Sequence, residues 1–90
     1  MKNDLDSKLI LQVYDYIQQY GEASEQGKIL EGVTAFSDWD GYTIYLQGSG
    51  VLLRFGFHNK YDLTYDYEKQ KGQFLNKLNA IAKNAQSLGA

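Results

Sequence analysis

The chain has 90 residues, of which 43% are hydrophobic and 14% aromatic, and its formal net charge is −2. It contains no cysteine, which excludes a disulfide framework, a thiolate metal site and a cysteine nucleophile. The apolar pattern and the small net charge argue against disorder, and the excess of acidic residues argues against a broad nucleic-acid-binding surface.

The length predicts one domain, spanning residues 1–90, with a small core. The N-terminus lacks the apolar segment of a signal peptide, and no run of residues reaches membrane-spanning length. We therefore expect a soluble cytoplasmic protein that does not contact a membrane. Neither a phosphate-binding loop nor a dinucleotide fingerprint is present, so no cofactor is expected.

Residues 4–20 predict a helix. The residues at helical spacing are Leu9, Ile10, Val13, Ile17 and Tyr20. Residues 22–27 are polar, and we expect them to form an exposed connector.

Residues 28–36 predict the first strand, as one extended run. Alternation in such a run places Ile29 and Val33 on one side and Thr34 and Phe36 on the other. Gly32 is interpreted as a bulge or a point of close approach. Residues 37–41 have the composition of a turn.

Residues 41–57 predict a tight hairpin. Gly48 and Ser49 are interpreted as the loop of a type II′ turn, because glycine accepts the positive φ that its first position requires. Alternation gives each strand one apolar side: Tyr42, Ile44 and Leu46 on the first, and Val51, Leu53, Phe55 and Phe57 on the second. A lone hairpin cannot keep such a face from water, so other elements must cover it.

Residues 61–65 leave two alternatives open, a short fourth strand or an extended lead-in to the next helix. A second helix is predicted from residue 67 or 68 to about residue 86, with an apolar stripe formed by Phe74, Leu75, Leu78, Ile81, Ala82 and Ala85. Gly72 costs this helix about 1 kcal/mol relative to alanine, so a start near Lys71 is also open. The fold class is α+β: a two-layer arrangement in which N- and C-terminal helices pack on one face of a three- or four-stranded antiparallel sheet.

Few residues suggest catalysis. His58 is the only histidine, and a small enzyme that uses it with Asp38, Asp40 or Asp62 is one alternative. Asp38 and Asp40 lack the later ligands of a calcium loop, and we expect them to serve the turn. No catalytic, cofactor-binding or metal-binding residue is therefore assigned.

Eight tyrosines suggest a binding role, because tyrosine is enriched in protein-binding surfaces. If the helices cover the face with Ile44 and Leu46, the opposite face is expected to expose an apolar patch. We predict a candidate interaction surface formed by Tyr45, Leu52, Arg54 and Val33, with Ile29 as a further member. The expected partner is a protein, either another chain or a second copy in a homodimer.

Charge is unevenly distributed along the chain. Residues 1–27 carry five acidic residues and two lysines, whereas residues 69–90 carry four lysines and no acidic residue. A lysine-bearing helix of this kind is most often a solvated face, and the functional alternative is contact with an acidic partner such as a second copy.

The order helix, three strands, helix resembles that of double-stranded-RNA-binding domains, and Lys69 and Lys71 lie about where those domains place a lysine cluster. The chain lacks their other basic contacts, and phosphate contacts dominate nucleic-acid affinity. RNA binding is therefore an alternative and nucleic acid is not the expected partner.

Residues 36–53, FSDWDGYTIYLQGSGVLL, and residues 56–63, GFHNKYDL, resemble a family of small uncharacterised bacterial proteins. This is the domain-of-unknown-function family numbered three-zero-eight-one. The resemblance spans nearly the whole chain and implies a stand-alone bacterial cytoplasmic protein. It implies no activity and no catalytic residues.

Overall fold

A computed structural model describes residues 7–39, 41–56 and 60–89 of the chain. This part contains two helices, α1 (Ser7–Tyr20) and α2 (Glu68–Gly89). Its strands are β1 (Glu22–Ala23), β2 (Lys28–Leu30), β3 (Val33–Ser37), β4 (Ile44–Gly48), β5 (Val51–Phe55) and β6 (Tyr61–Thr64). They form one antiparallel sheet in chain order. The α+β class is confirmed, but the predicted number of strands is wrong, because the described part of the chain has six.

One hydrophobic core joins the helices to the sheet. The helices contribute Ile10, Val13 and Ile17 from α1, and Phe74, Leu78, Ile81 and Ala82 from α2. The strands contribute alternate residues, which are Val33, Ala35, Ile44, Leu46, Val51, Leu53 and Phe55. Since these strand residues share one face, both helices cover the same side of the sheet. The apolar row predicted for the central hairpin is confirmed from Ile44 to Phe55, whereas Tyr42 is 68% exposed and Phe57 lies outside the described residues.

The predicted connector at residues 22–27 contains a short edge strand. Glu22 pairs with Ile29 and Ala23 with Lys28, so β1 and β2 form a small hairpin. The Ser24 amide and hydroxyl both donate hydrogen bonds to the Gly27 carbonyl, at 2.7 and 3.1 Å, and close its turn. Two residues are too few to show the alternating pattern of a strand, so β1 could not be predicted from the sequence.

The predicted first strand is broken by a second tight turn. Leu30 pairs directly with Val33, which leaves Glu31 and Gly32 as a two-residue loop. Their φ angles are 53° and 79°, the positive values that a type I′ turn requires at both central positions. Gly32 is thus a turn residue and not a bulge. The side chains after the turn point to the opposite side of the sheet from the one that a continuous strand would give them.

The central hairpin turns one residue later than predicted. Gly48 pairs with Val51, so the loop is Ser49 and Gly50, with φ angles of 52° and 80°. These values indicate a type I′ turn in place of the predicted type II′ turn.

Helix α2 passes over both tight turns. A Cβ built on Gly50 would lie 2.6 Å from Gln70 Nε2, and one built on Gly32 would lie 3.0 Å from Lys77 Nζ. Gln70 and Lys77 lie about two helical turns apart, which is a rise of about 10 Å along α2. The loops of the two hairpins are separated by two inter-strand spacings, which is also about 10 Å. The helix therefore crosses the turn ends of both hairpins.

The start of α2 is fixed by a side-chain cap. The Tyr67 carbonyl accepts the first helical hydrogen bonds, from the amides of Gln70 and Lys71. The Gln70 side-chain oxygen accepts from the amides of Asp66 and Tyr67, at 3.0 and 2.9 Å. This is the glutamine half of a capping box, and it places the first helical residue at Glu68 and not near Lys71. Of the two alternatives for residues 61–65, the strand is the one observed.

Candidate interaction surface

The sheet face opposite the helices presents two rows of side chains. Directly paired residues on neighbouring strands line up across an antiparallel sheet. The first row is Glu22, Ile29, Thr34, Gln47, Leu52 and Thr64. The second row is Phe36, Tyr45, Arg54 and Asp62. We call these ten residues the open face, because no helix of the described part packs against them.

The open face has an apolar centre and a polar rim. Its apolar and aromatic members are Ile29, Phe36, Tyr45 and Leu52, and they come from four neighbouring strands. Ile29 is 37% exposed, and the other three are half-buried by their neighbours. The polar ends of the rows, Glu22, Asp62 and Thr64, are exposed. A central apolar patch surrounded by polar residues is the typical anatomy of a protein–protein interface.

Two aromatic rings stack on each other at this centre. The Phe36 and Tyr45 rings stack with centroids 4.9 Å apart and planes inclined by 14°. The residues are directly paired between β3 and β4, so the ladder holds the rings side by side. Aromatic side chains fixed in this way supply contact area at low conformational cost.

The charges near the centre balance each other. Arg54 is directly paired with Tyr45 on one side and with Asp62 on the other. Side chains at such positions have Cβ atoms about 4.5–5.5 Å apart, so the register places the opposite charges of Arg54 and Asp62 on neighbouring strands. In the second row, the two aromatic rings are followed by the cation Arg54 and the anion Asp62, so the row as a whole has no net charge.

The comparison with known protein families identifies the chain. A family model described as a protein of unknown function, DUF3081, matches residues 5–88. The chain belongs to this family. No curated protein and no solved structure matches it. The predicted family is confirmed, and the DUF3081 assignment adds no activity to it.

Three of the four residues predicted for the interaction surface lie on the open face of this DUF3081 member. Tyr45, Leu52 and Arg54 are placed there by the register of β4 and β5. The placement of Val33 is wrong, because it is fully buried in the core. The turn at Glu31 and Gly32 shifts the alternation by one residue, which moves Val33 to the helix side.

The same turn explains why Phe36 was missed. In an unbroken strand Phe36 shares a side with Leu30, whereas in the structure Leu30 packs against the core and Phe36 faces away from it. Recognition of the two-residue turn would have placed Thr34 and Phe36 on the open face.

The residues of the enzyme alternative are not brought together in the described part of this DUF3081 chain. His58 and Asp40 lie outside the described residues, and Asp62 lies in the second row of the open face. Asp38 serves the turn through its backbone, since its amide donates to the Thr43 carbonyl at 2.9 Å. Among the described residues no group of three or more histidine or acidic side chains is placed to hold a metal ion.

The two helices differ from membrane-spanning segments in length or in apolar character. Within residues 7–39, 41–56 and 60–89, neither helix combines the length and the apolar character needed to cross a bilayer.

Proposed function

We propose that this DUF3081 member is a non-enzymatic protein-interaction module whose open face pairs with the open face of a second copy. The observation that supports this is the stacked pair Phe36 and Tyr45, flanked by Ile29 and Leu52, on the side of the sheet away from both helices. A sheet with apolar residues on both faces is stable when a layer covers each face. A second sheet supplies the missing layer.

The apolar centre of the open face favours an identical partner. Three of the ten open-face residues are charged, and they are Glu22, Arg54 and Asp62. Arg54 and Asp62 are opposite each other in the register of β5 and β6, so each lies beside the opposite charge when the face is covered, whereas covering an isolated charge is strongly destabilising. A second open face brings an apolar centre of the same kind against the first.

The size of the face sets the strength of the dimer. Six strands about 4.8 Å apart, each of up to five residues at about 3.3 Å per residue, outline an area of about 25 by 17 Å. This is smaller than the roughly 800 Å² that each partner contributes to a standard interface. We therefore expect a dimer that dissociates on dilution.

Single-stranded RNA is the second candidate partner, because aromatic side chains on an open sheet are a common platform for stacking bases. Two observations rank it lower. Phe36 and Tyr45 already stack on each other, and Arg54 is outnumbered on the open face by Glu22 and Asp62. The double-stranded-RNA-binding resemblance is also weakened, since it rests on three strands and the sheet has six.

The test is sedimentation velocity over a hundredfold range of concentration, with one substitution made at two places. Gln47→Lys introduces a charge at the exposed centre of the open face, and Gln73→Lys makes the same change on the exposed side of α2. We expect the unmodified chain and Gln73→Lys to associate alike as the concentration rises, and Gln47→Lys to associate more weakly with an unchanged circular dichroism spectrum.

Two results would count against the proposal. If the unmodified chain is a monomer throughout the range, the open face does not bind a second copy. If Gln47→Lys and Gln73→Lys associate equally, the interface lies elsewhere. Salt-sensitive retention of the unmodified chain on immobilised RNA, lost in Arg54→Gln, would favour the second candidate.

A further inference from the structure

A fully exposed tryptophan lies in the loop between β3 and β4. Trp39, the only tryptophan of the chain, is 99% exposed. Two hydrogen bonds close the base of the loop: the Asp38 carbonyl accepts from the Gly41 amide, and the Asp38 amide donates to the Thr43 carbonyl, both at 2.9 Å. Tryptophan is among the residues most enriched in binding hot spots. The loop thus presents a large apolar side chain to solvent.

The chain also carries a groove of matching chemistry. Leu9 of α1 and Asn79, Ala82 and Lys83 of α2 line a cavity of about 300 Å³ that opens to solvent. Leu9 and Ala82 make part of its wall apolar, and Lys83 adds an exposed positive charge. The Asn79 side-chain nitrogen donates to the Leu75 carbonyl at 3.0 Å, which leaves the side-chain oxygen as an acceptor.

We infer that Trp39 of one copy docks into the α1–α2 groove of a second copy. The apolar body of the indole would contact Leu9 and Ala82, and its N–H, a donor only, would find the side-chain oxygen of Asn79. Contact with this groove removes part of the aromatic surface of the indole from water.

Charge complementarity selects a second copy as the occupant. Asp38 and Asp40 flank Trp39 in the sequence, and Lys83 lies at the groove on a helix whose last 21 residues include four lysines and no acidic residue. An acidic loop approaching this helix is attracted, whereas a basic segment is repelled. A tryptophan that is 99% exposed does not occupy the groove of its own chain, so the contact joins two chains.

This contact is distinct from pairing through the open face. The loop and the groove are different surfaces, so one chain gives the loop and the next gives the groove, which is a heterologous contact. Such contacts produce rings or open chains of subunits, depending on whether the rotation closes.

The single tryptophan makes the inference directly testable by intrinsic fluorescence. As the concentration of the chain rises, we expect the emission to move to shorter wavelength and acrylamide quenching to fall at least twofold. Lys83→Glu places a negative charge at the groove and should abolish both changes. Lys69→Glu makes the same change at an exposed position near the start of α2, away from the groove, and should leave both changes intact.

A mixture of two variants tests the direction of the contact. Asp38→Lys alone and Lys83→Glu alone should each lose the fluorescence change, and an equimolar mixture should regain part of it, because the basic loop of one chain then meets the acidic groove of the other. Emission that is constant with concentration would overturn the inference, as would a shift that survives Lys83→Glu. A shift that is lost in Gln47→Lys but kept in Lys83→Glu would place Trp39 in the open-face dimer and would equally overturn it.

Discussion

Phe36 and Tyr45 stack at a centroid distance of 4.9 Å, on the side of the sheet that faces away from both helices. The pair joins β3 to β4 at the centre of the six-stranded sheet. It therefore bears on the stability of the monomer and on the proposed pairing of open faces. Stacked aromatic pairs stabilise proteins beyond the area that they bury, and in the proposed dimer this pair lies at the centre of the contact.

The first prediction concerns the coupling of the two rings. In a double-mutant cycle with Phe36→Leu and Tyr45→Leu, we expect a coupling free energy of about 0.5–1.5 kcal/mol in urea unfolding. The cycle is measured at a protein concentration where the unmodified chain sediments as a monomer, so that dissociation does not contribute. Additivity of the two substitutions within about 0.3 kcal/mol would show that the stacking does not stabilise the monomer.

The second prediction concerns the turn beneath the start of α2. Gly50→Ala places a Cβ 2.6 Å from Gln70 Nε2, at a residue whose φ is 80°. We expect a loss of at least about 1–2 kcal/mol in the free energy of unfolding, from the left-handed backbone alone. The matched control is Gly56→Ala, where no atom lies within 4 Å of the new Cβ. Equal effects of the two substitutions would contradict the role given to Gly50.

The third prediction is a stabilising substitution. Gly72 lies in α2, and a Cβ there meets no atom within 4 Å. Gly72→Ala should raise the free energy of unfolding by about 0.5–1 kcal/mol, because alanine loses less backbone entropy in a helix. Thermal unfolding followed by circular dichroism measures the effect, and a lower midpoint for the variant would show that glycine has another role at this position.

The fourth prediction concerns the attachment of α1 to the sheet. The Gln18 side-chain nitrogen donates to the Ala35 carbonyl at 2.9 Å, across a partly buried contact. Gln18→Ala should lower the free energy of unfolding by about 0.5–1.5 kcal/mol. Gln19→Ala, at the next and exposed position of the same helix, should change it by less than about 0.5 kcal/mol. An equal loss in both variants would refute the contribution of this hydrogen bond.

The sequence predicts the helices and the core row of the central hairpin, because their apolar periodicity extends over many residues. It does not predict the turn at Glu31 and Gly32. The strongest signals for a two-residue type I′ turn are Asn-Gly and Asp-Gly, and here a glutamate adopts a φ of 53°. Since side chains alternate with a period of two, this one missed turn is enough to exchange Val33 and Phe36 between the core and the open face.

The candidate site depends on the same feature. Tyr45 and Leu52 were located because their hairpin has one long alternating pattern on each strand. The shift of its loop from Gly48 and Ser49 to Ser49 and Gly50 did not alter which residues share a face. The open face as a whole requires the register of all six strands, and the two-residue strand β1 has no pattern of its own to predict it.

The most direct test of open-face pairing is an isotope-filtered NOE measurement on a mixture of labelled and unlabelled chains at high concentration. We predict intermolecular contacts that connect the Tyr45 ring of one chain to the methyl groups of Ile29 and Leu52 of another. Intermolecular contacts restricted to residues outside the open face, or their complete absence in a sample that sediments as a monomer, would contradict the account.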